Sequence, residues 1–328
     1  MNNFISFVAL AFRFSTVFLF GATGEIINQK SGHLNMGTPG IMYLGAIGGA
    51  LGERLYIMSV PATASLNSFM IVFVPVIFAI IFGALGGALY SFFAITLHCN
   101  QNVTGLTLTT FGVGLSLMII GKIPMERMAE AGHQLHNAFP WYSNLGWFGE
   151  MFLSQSLFTY LAIAIAIAAA VIISKTKVGL NLRAVGENAA AADAAGVNVN
   201  RYRYIATIIG GAIAGIGGAF YELDQQFGSF NAEDAIDAFG WLALCIVICS
   251  VWKPTIAILA SFGFAFAAVL PHSEFILSTF GGSTVLDTLI RTMPYLATLI
   301  ILIITSIVNN KKTQAPGNLG INYFREDR

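Results

Sequence analysis

Nine apolar segments, each about 15 to 24 residues long, follow one another along this chain with short polar stretches between them. About 20 apolar residues cross a lipid bilayer as one helix. Only 10% of the 328 residues are charged, which is too few to cover a water-facing surface. The segments are 4–22, 36–58, 69–92, 103–121, 156–174, 203–221, 238–252, 255–270 and 289–308. Because lipid offers no partner for an open backbone, the sequence predicts an all-α, polytopic membrane protein with about nine transmembrane helices.

The polar stretches differ in charge. Residues 174–204 and the tail 309–328 are basic, whereas 222–237 is acidic and carries no Lys or Arg. Short loops rich in Lys and Arg stay on the cytoplasmic side. We therefore expect one transmembrane domain, 1–308, with a cytoplasmic loop at 174–204 and a cytoplasmic tail at 309–328. By the count of crossings, 93–102 and Lys30 also lie inside, and 59–68, 122–155 and 222–237 lie outside.

Glycine is frequent, with 34 residues, and it recurs four residues apart within the apolar segments. Small residues at that spacing let two helix backbones approach closely in lipid. The pairs are Gly45 and Gly49, Gly83 and Gly87, and Gly211 and Gly215. The last pair lies in GGAIAGIGGAF, residues 210–220, which lacks the final glycine of a dinucleotide-binding loop. We interpret this run as a helix-packing surface.

Polar residues lead directly into an apolar segment in QKSGHLNMGTPGIMYLGAIGGALG, residues 29–52. A helix that breaks at Asn35–Gly40 leaves backbone groups free at membrane depth, which is tolerated only inside protein or beside a cavity. Broken helices of this kind recur at transporter pathways. An ordinary junction between a loop and a helix explains the same residues equally well.

A second unusual stretch is VGLNLRAVGENAAAADAAGVNVNRYRY, residues 178–204, which is rich in small residues and flanked by Arg. A short cytoplasmic helix of Ala, Gly and Asn has no apolar face to bury in lipid. Its small residues permit close approach to another protein, Glu187 and Asn188 are suited to capping or pairing, and Asp193 is suited to a basic partner. We favour a docking helix over a solvated connecting helix.

Signals for chemistry are weak by comparison. The chain has no phosphate-binding loop of the Walker A type and no His-Glu-x-x-His motif. His133 and His136 have no third ligand nearby, and Cys245 and Cys249 read as packed thiols in an apolar run. We expect no catalytic residues, no metal site and no cofactor bound by this chain.

The run GLNLRAVGENAAAADAAGVNV, residues 179–199, resembles the coupling segment of permease subunits of ABC importers. The family is the one shared by branched-chain amino acid, ribose-type sugar and nucleoside importers. SGHLNMGTPGIMYLGA, residues 31–46, is similar to a second family signature, and GGAIAGIGGAF and VWKP, residues 251–254, follow in order. GEIINQKSGHLNMG, residues 24–37, is most similar to nucleoside-type permeases. The resemblance covers roughly residues 15–308.

This resemblance implies a multi-pass permease of the cell (plasma) membrane that moves nucleosides while a separate ATPase subunit binds ATP. It implies three kinds of partner: ABC ATPase subunits, a second permease in a homo- or heterodimer, and an extracellular or periplasmic substrate-binding protein. Contact with the ATPase is expected at Gly186, Glu187, Asn188, Asp193 and Gly196.

A nucleoside joins a flat base to a polar ribose and carries no charge, so its pathway needs stacking faces and hydrogen-bonding groups. The candidate pathway residues are Asn35, Gly37, Gly40, Phe227, Phe230 and Asn231. A ribose-type sugar would use the same aromatic residues, whereas a branched-chain amino acid would favour paired charges; both stay open as alternatives.

Two rival classes make different demands on the sequence. A secondary transporter or channel usually needs ionisable groups that face a cavity within the membrane. Most charges here flank the apolar segments, with Arg13 and Arg291 as the exceptions to examine. A membrane-embedded enzyme would show a catalytic cluster, which we do not find.

Overall fold

The computed structural model describes residues 2–61, 64–120, 145–226, 235–270 and 314–324, together with single positions between 292 and 303. Within these ranges the regular structure is entirely helical. The α-helices are α1 (Asn2–Gln29), α2 (Thr38–Ser59), α3 (Met70–Ser91), α4 (Gln101–Ile120), α5 (Gly146–Phe152), α6 (Leu157–Lys175), α7 (Lys177–Glu187), α8 (Ala189–Ala194), α9 (Val199–Phe220), α10 (Ala235–Cys249) and α11 (Pro254–Val269). Two π-helical turns, Phe92–Thr96 and Tyr221–Gln225, extend α3 and α9.

Five of these helical stretches are long and apolar enough to cross a membrane: Phe4–Gln29, Met70–Thr96, Gln101–Ile119, Leu157–Lys175 and Val199–Gln225. Two shorter apolar helices are Ala238–Cys249 and Pro254–Val269. With α2, the helices account for eight of the nine predicted segments, and the ninth lies mostly outside the described residues. The prediction of an all-α polytopic membrane protein is confirmed.

The helix α9 lies at the centre of the bundle, in contact with α1, α2 and α3. In its most apolar window 72% of the residues are buried, against 28–33% in α3, α4 and α6. The outward faces of the peripheral helices expose large apolar side chains, such as Phe73, Ile81 and Leu85 on α3. Exposed apolar surface along a whole helix suits contact with lipid rather than water.

The predicted glycine pairs make close contacts around α9, and Gly24 on α1 makes another. A Cβ atom on Gly45 would lie 2.2 Å from the Cα atom of Gly215, and one on Gly83 would lie 2.4 Å from the carbonyl oxygen of Gly211. A Cβ atom on Gly24 would lie 2.3 Å from the carbonyl oxygen of Gly210. Side chains at these positions would force α1, α2 and α3 away from α9, which confirms the helix-packing interpretation of residues 210–220.

The helix ends follow local sequence signals. Pro39 and Pro254 occupy the first turns of α2 and α11, where a missing N–H costs nothing. The side chains of Thr176 and Asn198 cap α7 and α9 by accepting hydrogen bonds from the N–H groups of Gly179 and Arg201.

The structure corrects the predicted external loop at 222–237. Instead of ending near 221, α9 continues as a π-helical turn to Gln225, and Glu222 and Asp224 are fully buried within it. The charges suggested a solvated loop, but they are enclosed by neighbouring helices. The remainder, 227–234, lies outside the described residues.

Four polar segments meet at one end of the bundle, which we call the coupling end. They are the α1–α2 loop 30–37, residues 98–101 before α4, the α7–α8 segment 177–194, and residues 314–324 of the tail, which hydrogen-bonds to the other three. All four segments are predicted to lie on the same side of the membrane, 177–194 and the tail by the charge rule and the other two by the count of crossings. The assignment of that side to the cytoplasm stays a prediction.

Candidate translocation and coupling site

A buried carboxylate, Glu25, lies near the end of α1 and organises the inside of the coupling end. Its side chain is 3% exposed. It accepts hydrogen bonds from the side-chain amides of Asn28 (3.1 Å) and Gln29 (2.9 Å), from the backbone N–H of Asn35 (3.2 Å) and from the hydroxyl of Thr38 (3.1 Å). A charge is tolerated in an apolar interior when its lone pairs are satisfied in this way. We call these five residues the Glu25 cluster.

The Glu25 cluster is tied to two other helices. The hydroxyl of Thr207 on α9 donates to the side-chain oxygen of Asn28 at 2.8 Å. The indole N–H of Trp252, in the turn between α10 and α11, donates to the side-chain oxygen of Gln29 at 2.6 Å. Val251 and Trp252 both have a left-handed φ, 54° and 52°, which is uncommon away from glycine. The cluster therefore joins α1, α2, α9 and the α10–α11 turn through polar contacts.

The predicted break at Asn35–Gly40 is a junction between a loop and a helix, but one that is buried inside protein. The side-chain oxygen of Asn35 accepts from the N–H of Gly37 at 2.8 Å, and α2 begins at Thr38. Cβ atoms on Gly37 and Gly40 would lie 2.9 Å from the carbonyl oxygen of Gly105 and 2.3 Å from that of Leu108. Gly37 and Gly40 therefore let the start of α2 pack closely against α4, and Asn35 fixes the turn that precedes α2.

The other pathway candidates, Phe227, Phe230 and Asn231, lie outside the described residues. Their predicted contact with substrate stays a prediction, as does that of Asn35. The structure brings Asn35, Gly37 and Gly40 together at the coupling end.

The predicted docking helix forms two helices, α7 and α8, and we call residues 177–194 the docking segment. Asn188 interrupts it in an extended conformation, and its side-chain oxygen caps α8 by accepting from the N–H of Ala191 at 2.9 Å. The capping role weighed for Asn188 is therefore confirmed. Gly196 follows α8 with φ of 86° and has open space around its Cα atom. A left-handed glycine is the common way to end a helix and turn the chain.

Small side chains line the outer surface of α8, whereas Gly186 faces inward. Ala190, Ala191 and Ala194 are exposed. A Cβ atom on Gly186 would lie 2.3 Å from the carbonyl oxygen of Lys30 in the α1–α2 loop. Gly186 thus provides a close internal contact with the α1–α2 loop, and its expected contact with an ATPase stays a prediction.

The two carboxylates of the docking segment both have partners in the tail. A carboxylate oxygen of Glu187 accepts from the N–H of Gly317 at 3.2 Å. A carboxylate oxygen of Asp193 accepts from the hydroxyl of Tyr323 at 2.7 Å. Beside them lies a cleft of about 700 Å³ whose walls include His98, Asn200 and Tyr323. The surface predicted to meet a partner is therefore shared between α8 and the tail.

Buried basic groups complete the coupling end. His33 is fully buried with its ring edge-on to Tyr90, and burial together with the nearby Arg203 lowers the pKa of His33 from 6.5 to about 3. Burial also lowers the pKa of Lys30, while the charge of Glu187 opposes that change. His33 is therefore neutral at physiological pH, which avoids a second charge beside Arg203.

The opposite end of the bundle, which we call the far end, holds three buried carboxyl groups among the residues that the structure describes. Asp224 lies 3.7 Å from the guanidinium of Arg13, measured from Oδ2 to Nε. Glu53 on α2 and Glu222 after α9 are fully buried, and their oxygens have no hydrogen-bond partner among the described residues. The sequence placed these groups at the margins of the spans; the structure encloses them.

Sequence reasoning missed the Glu25 cluster, although a signal for it was present. Glu25, Asn28 and Gln29 lie three and four residues apart, so they share one face at the end of an apolar helix. Such a polar face inside a bundle demands partners from other helices.

Comparison with known proteins identifies the family. Residues 6–308 match the family described as the branched-chain amino acid transport system / permease component. This chain belongs to that family of permeases. The match spans both the buried α1–α2 junction and the docking segment, so both features belong to the permease domain.

Three relatives of the permease illustrate the range of cargo. The nucleoside ABC transporter permease protein NupC of Lactococcus lactis subsp. cremoris is 28% identical over 99% of this chain and 98% of its own. The guanosine ABC transporter permease protein NupQ of Bacillus subtilis is 27% identical over 94% and 92%. The putative glucose ABC transporter permease protein TsgC13 of Haloferax volcanii is 27% identical over 74% and 69%. No solved structure matches the chain.

Proposed function

We propose that the permease forms the translocation pathway for nucleosides in an ABC importer and performs no catalysis itself. Its similarity to a nucleoside permease and a guanosine permease extends over nearly the whole of each chain, whereas its similarity to the glucose permease covers about two thirds of that relative. This difference in coverage carries the choice of nucleosides. A sugar is the second candidate because of the glucose permease.

In this proposal, separate ATPase subunits dock at the coupling end. The exposed alanines of α8, the open space at Gly196 and the adjacent cleft supply a surface of small residues that fits closely against another protein. A second permease and an external substrate-binding protein complete the importer. ATP binding shifts the permease between its states only through contacts that differ between them.

Docking is tested by a bulky substitution on α8. Ala194 is exposed on α8, so Ala194→Trp fills space on the surface without displacing a packed neighbour. We expect this variant to lose the co-purifying ATPase while the permease itself stays folded. Ser68→Trp, also exposed but before α3, is the matched control and retains the ATPase. Normal ATPase recovery with Ala194→Trp would contradict docking on this face.

Cargo is tested with the complex reconstituted in liposomes with its own binding protein. We expect uptake of labelled purine or pyrimidine nucleosides, and little uptake of ribose, glucose or leucine. Asn35→Ala and Phe230→Ala reduce uptake in assembled complexes if these residues serve the pathway. Uptake of a sugar or leucine without any nucleoside would contradict the proposed cargo and leave the importer intact.

A further inference from the structure

Residues 314–324 form a strap across the coupling end, which we call the C-terminal clasp. The clasp begins with contacts to the docking segment, where the N–H of Asn318 donates to the carbonyl of Gly186 at 2.9 Å. The neighbouring Gly317 donates to Glu187, and a Cβ atom on Gly317 would lie 2.8 Å from the carbonyl oxygen of Glu187. The clasp therefore lies directly against the break between α7 and α8.

The clasp next contacts the α1–α2 loop. The N–H of Gly320 donates to the carbonyl of Gly32 at 3.0 Å. Both glycines have a left-handed φ, 78° and 91°. A Cβ atom on Gly32 would approach Gly186, Asn318 and Arg203 at 3.2–3.4 Å. The loop, the docking segment and the clasp therefore meet at one tightly packed point.

A third set of contacts reaches α4. The side chain of Asn322 accepts from the amide of Gln101 at 2.9 Å and donates to the carbonyl of His98 at 2.7 Å. The side-chain oxygen of Gln101 accepts from the N–H of Leu34 at 2.9 Å. The next residue, Asn35, donates its N–H to Glu25. A continuous chain of hydrogen bonds and one peptide unit therefore joins the clasp to the Glu25 cluster.

Two further contacts fix the end of the clasp. The hydroxyl of Tyr323 donates to the carboxylate of Asp193, and the ring of Phe324 lies 4.5 Å from the ring of His98, measured between centroids. The guanidinium of the buried Arg203 donates to the carbonyl of Ile321 at 3.4 Å. The clasp thus contacts α8 through Tyr323, α9 through Ile321 and the residues before α4 through Phe324.

We propose that the C-terminal clasp transmits movement of the docking segment to the buried α1–α2 junction, with Tyr323 and Asn322 as positioning residues for coupling. The inference rests on the proposed ATP-driven import. A displacement of α8 moves Asp193 and, through its hydrogen bond, Tyr323. The neighbouring Asn322 then moves Gln101, whose side chain is hydrogen-bonded to the N–H of Leu34. The clasp contacts all three segments, through the backbone of Gly320 at the α1–α2 loop and through the side chains of Asn322 and Tyr323 at 98–101 and α8.

The test compares hydroxyl deletions in the reconstituted complex, with ATP hydrolysis and import measured in the same liposomes. Tyr323→Phe removes only the bond to Asp193. We expect the number of solute molecules imported per ATP hydrolysed to fall about threefold or more, while the permease still binds its ATPase. Tyr204→Phe is the matched control, since it removes a hydroxyl bonded to Thr96 away from the clasp, and it leaves the ratio unchanged.

A double-variant comparison separates coupling from a general loss of structure. Asp193→Ala combined with Tyr323→Phe should lower the ratio no further than the stronger single change, because each single change already removes the hydrogen bond between these two side chains. A chain ending at residue 313 should retain ATP hydrolysis and lose most import. An unchanged ratio in Tyr323→Phe and in the shortened chain, or loss of the ATPase in Tyr323→Phe, would overturn the proposal.

The outcome is independent of the identity of the cargo. If the parent complex imports a sugar rather than a nucleoside, the same ratio is measured with that sugar and the clasp is tested equally well. A parent complex that hydrolyses ATP and imports no solute would contradict the importer proposal, and with it the clasp.

Discussion

The two ends of the bundle bury carboxylates in opposite ways. At the coupling end, both oxygens of Glu25 receive hydrogen bonds, from side chains of α1 and from the start of α2. At the far end, Glu53 and Glu222 have no donor among the described residues, and Asp224 has the long contact with Arg13. Burial of an unsatisfied carboxylate costs free energy, whereas a satisfied one holds its neighbours in place.

This difference indicates that the permease is more rigid at the coupling end than at the far end. The Glu25 cluster, with the clasp outside it, fixes one arrangement of the helices at the coupling end. Separation of the helices costs less free energy at the far end, because it gives water access to Glu53 and Glu222. We therefore expect the far end to open more readily than the coupling end.

The largest effect is expected at the ion pair of the far end. Arg13→Met leaves the buried Asp224 without its cation and should reduce the free energy of unfolding by roughly 3–5 kcal/mol, as for other broken buried pairs. Unfolding of the purified permease in mixed micelles by added denaturing detergent measures this change.

The matched control is the double variant Arg13→Met with Asp224→Asn, which removes both charges. It should recover most of the lost stability, since no unpaired charge is left. A single variant as stable as the parent would show that the far end does not depend on this pair.

The next effect is expected at the coupling end. Glu25→Gln replaces one acceptor oxygen by an NH₂ group that points at donors from Gln29, Asn35 or Thr38. The loss of charge-assisted hydrogen bonds should cost about 2–3 kcal/mol in the same unfolding experiment. A cost near zero would mean that the cluster does not hold the coupling end together.

A pH dependence is expected from His33. Its folded-state pKa of about 3 lies below the usual 6.5, so the unfolded chain binds a proton that the folded chain refuses. The contribution of His33 to the free energy of unfolding is fully present above pH 6.5. It falls by about 1.4 kcal/mol per pH unit as the pH drops from 6.5 towards 3. Between pH 6.5 and 5, His33→Gln should reduce the slope of the free energy of unfolding against pH by the amount that corresponds to one bound proton. An unchanged slope would place the histidine in water.

The smallest effect is expected for Glu53→Gln, the same chemical change as Glu25→Gln at the other end. No described donor loses a partner, and the amide has nearly the same shape as the carboxyl group that it replaces. The free energy of unfolding should change by less than about 1 kcal/mol, or rise. Equal losses for the two glutamate variants would remove the distinction between the ends.

Much of this fold follows from the sequence, because hydropathy and glycine spacing act locally. The segments of 15 to 24 apolar residues predicted the helices, and Gly45, Gly83 and Gly211 marked their close contacts. Asn188 was recognised as a possible cap. These features depend on residues within one or two helical turns, where sequence spacing and spatial spacing correspond.

The parts that could not be predicted depend on contacts between distant residues. The sequence predicts that Glu222 and Asp224 lie in an external loop, because hydropathy cannot show that neighbouring helices enclose them. The tail reads as a polar terminus, and nothing local reveals that Asn322 bonds to Gln101 or Tyr323 to Asp193. Glu25 shares a helix face with Asn28 and Gln29, but its partners on α2 follow only from the packing.

The proposal that ATP hydrolysis drives nucleoside import through this permease is tested most directly by measuring solute accumulation in liposomes. These liposomes contain the permease, its ATPase and its binding protein, with no ion gradient across the membrane. We expect ATP to drive nucleosides to a higher concentration on the ATPase side, and we expect a non-hydrolysable ATP analogue to drive no accumulation. Nucleoside uptake that proceeds without ATP, or that follows an imposed ion gradient, would contradict it.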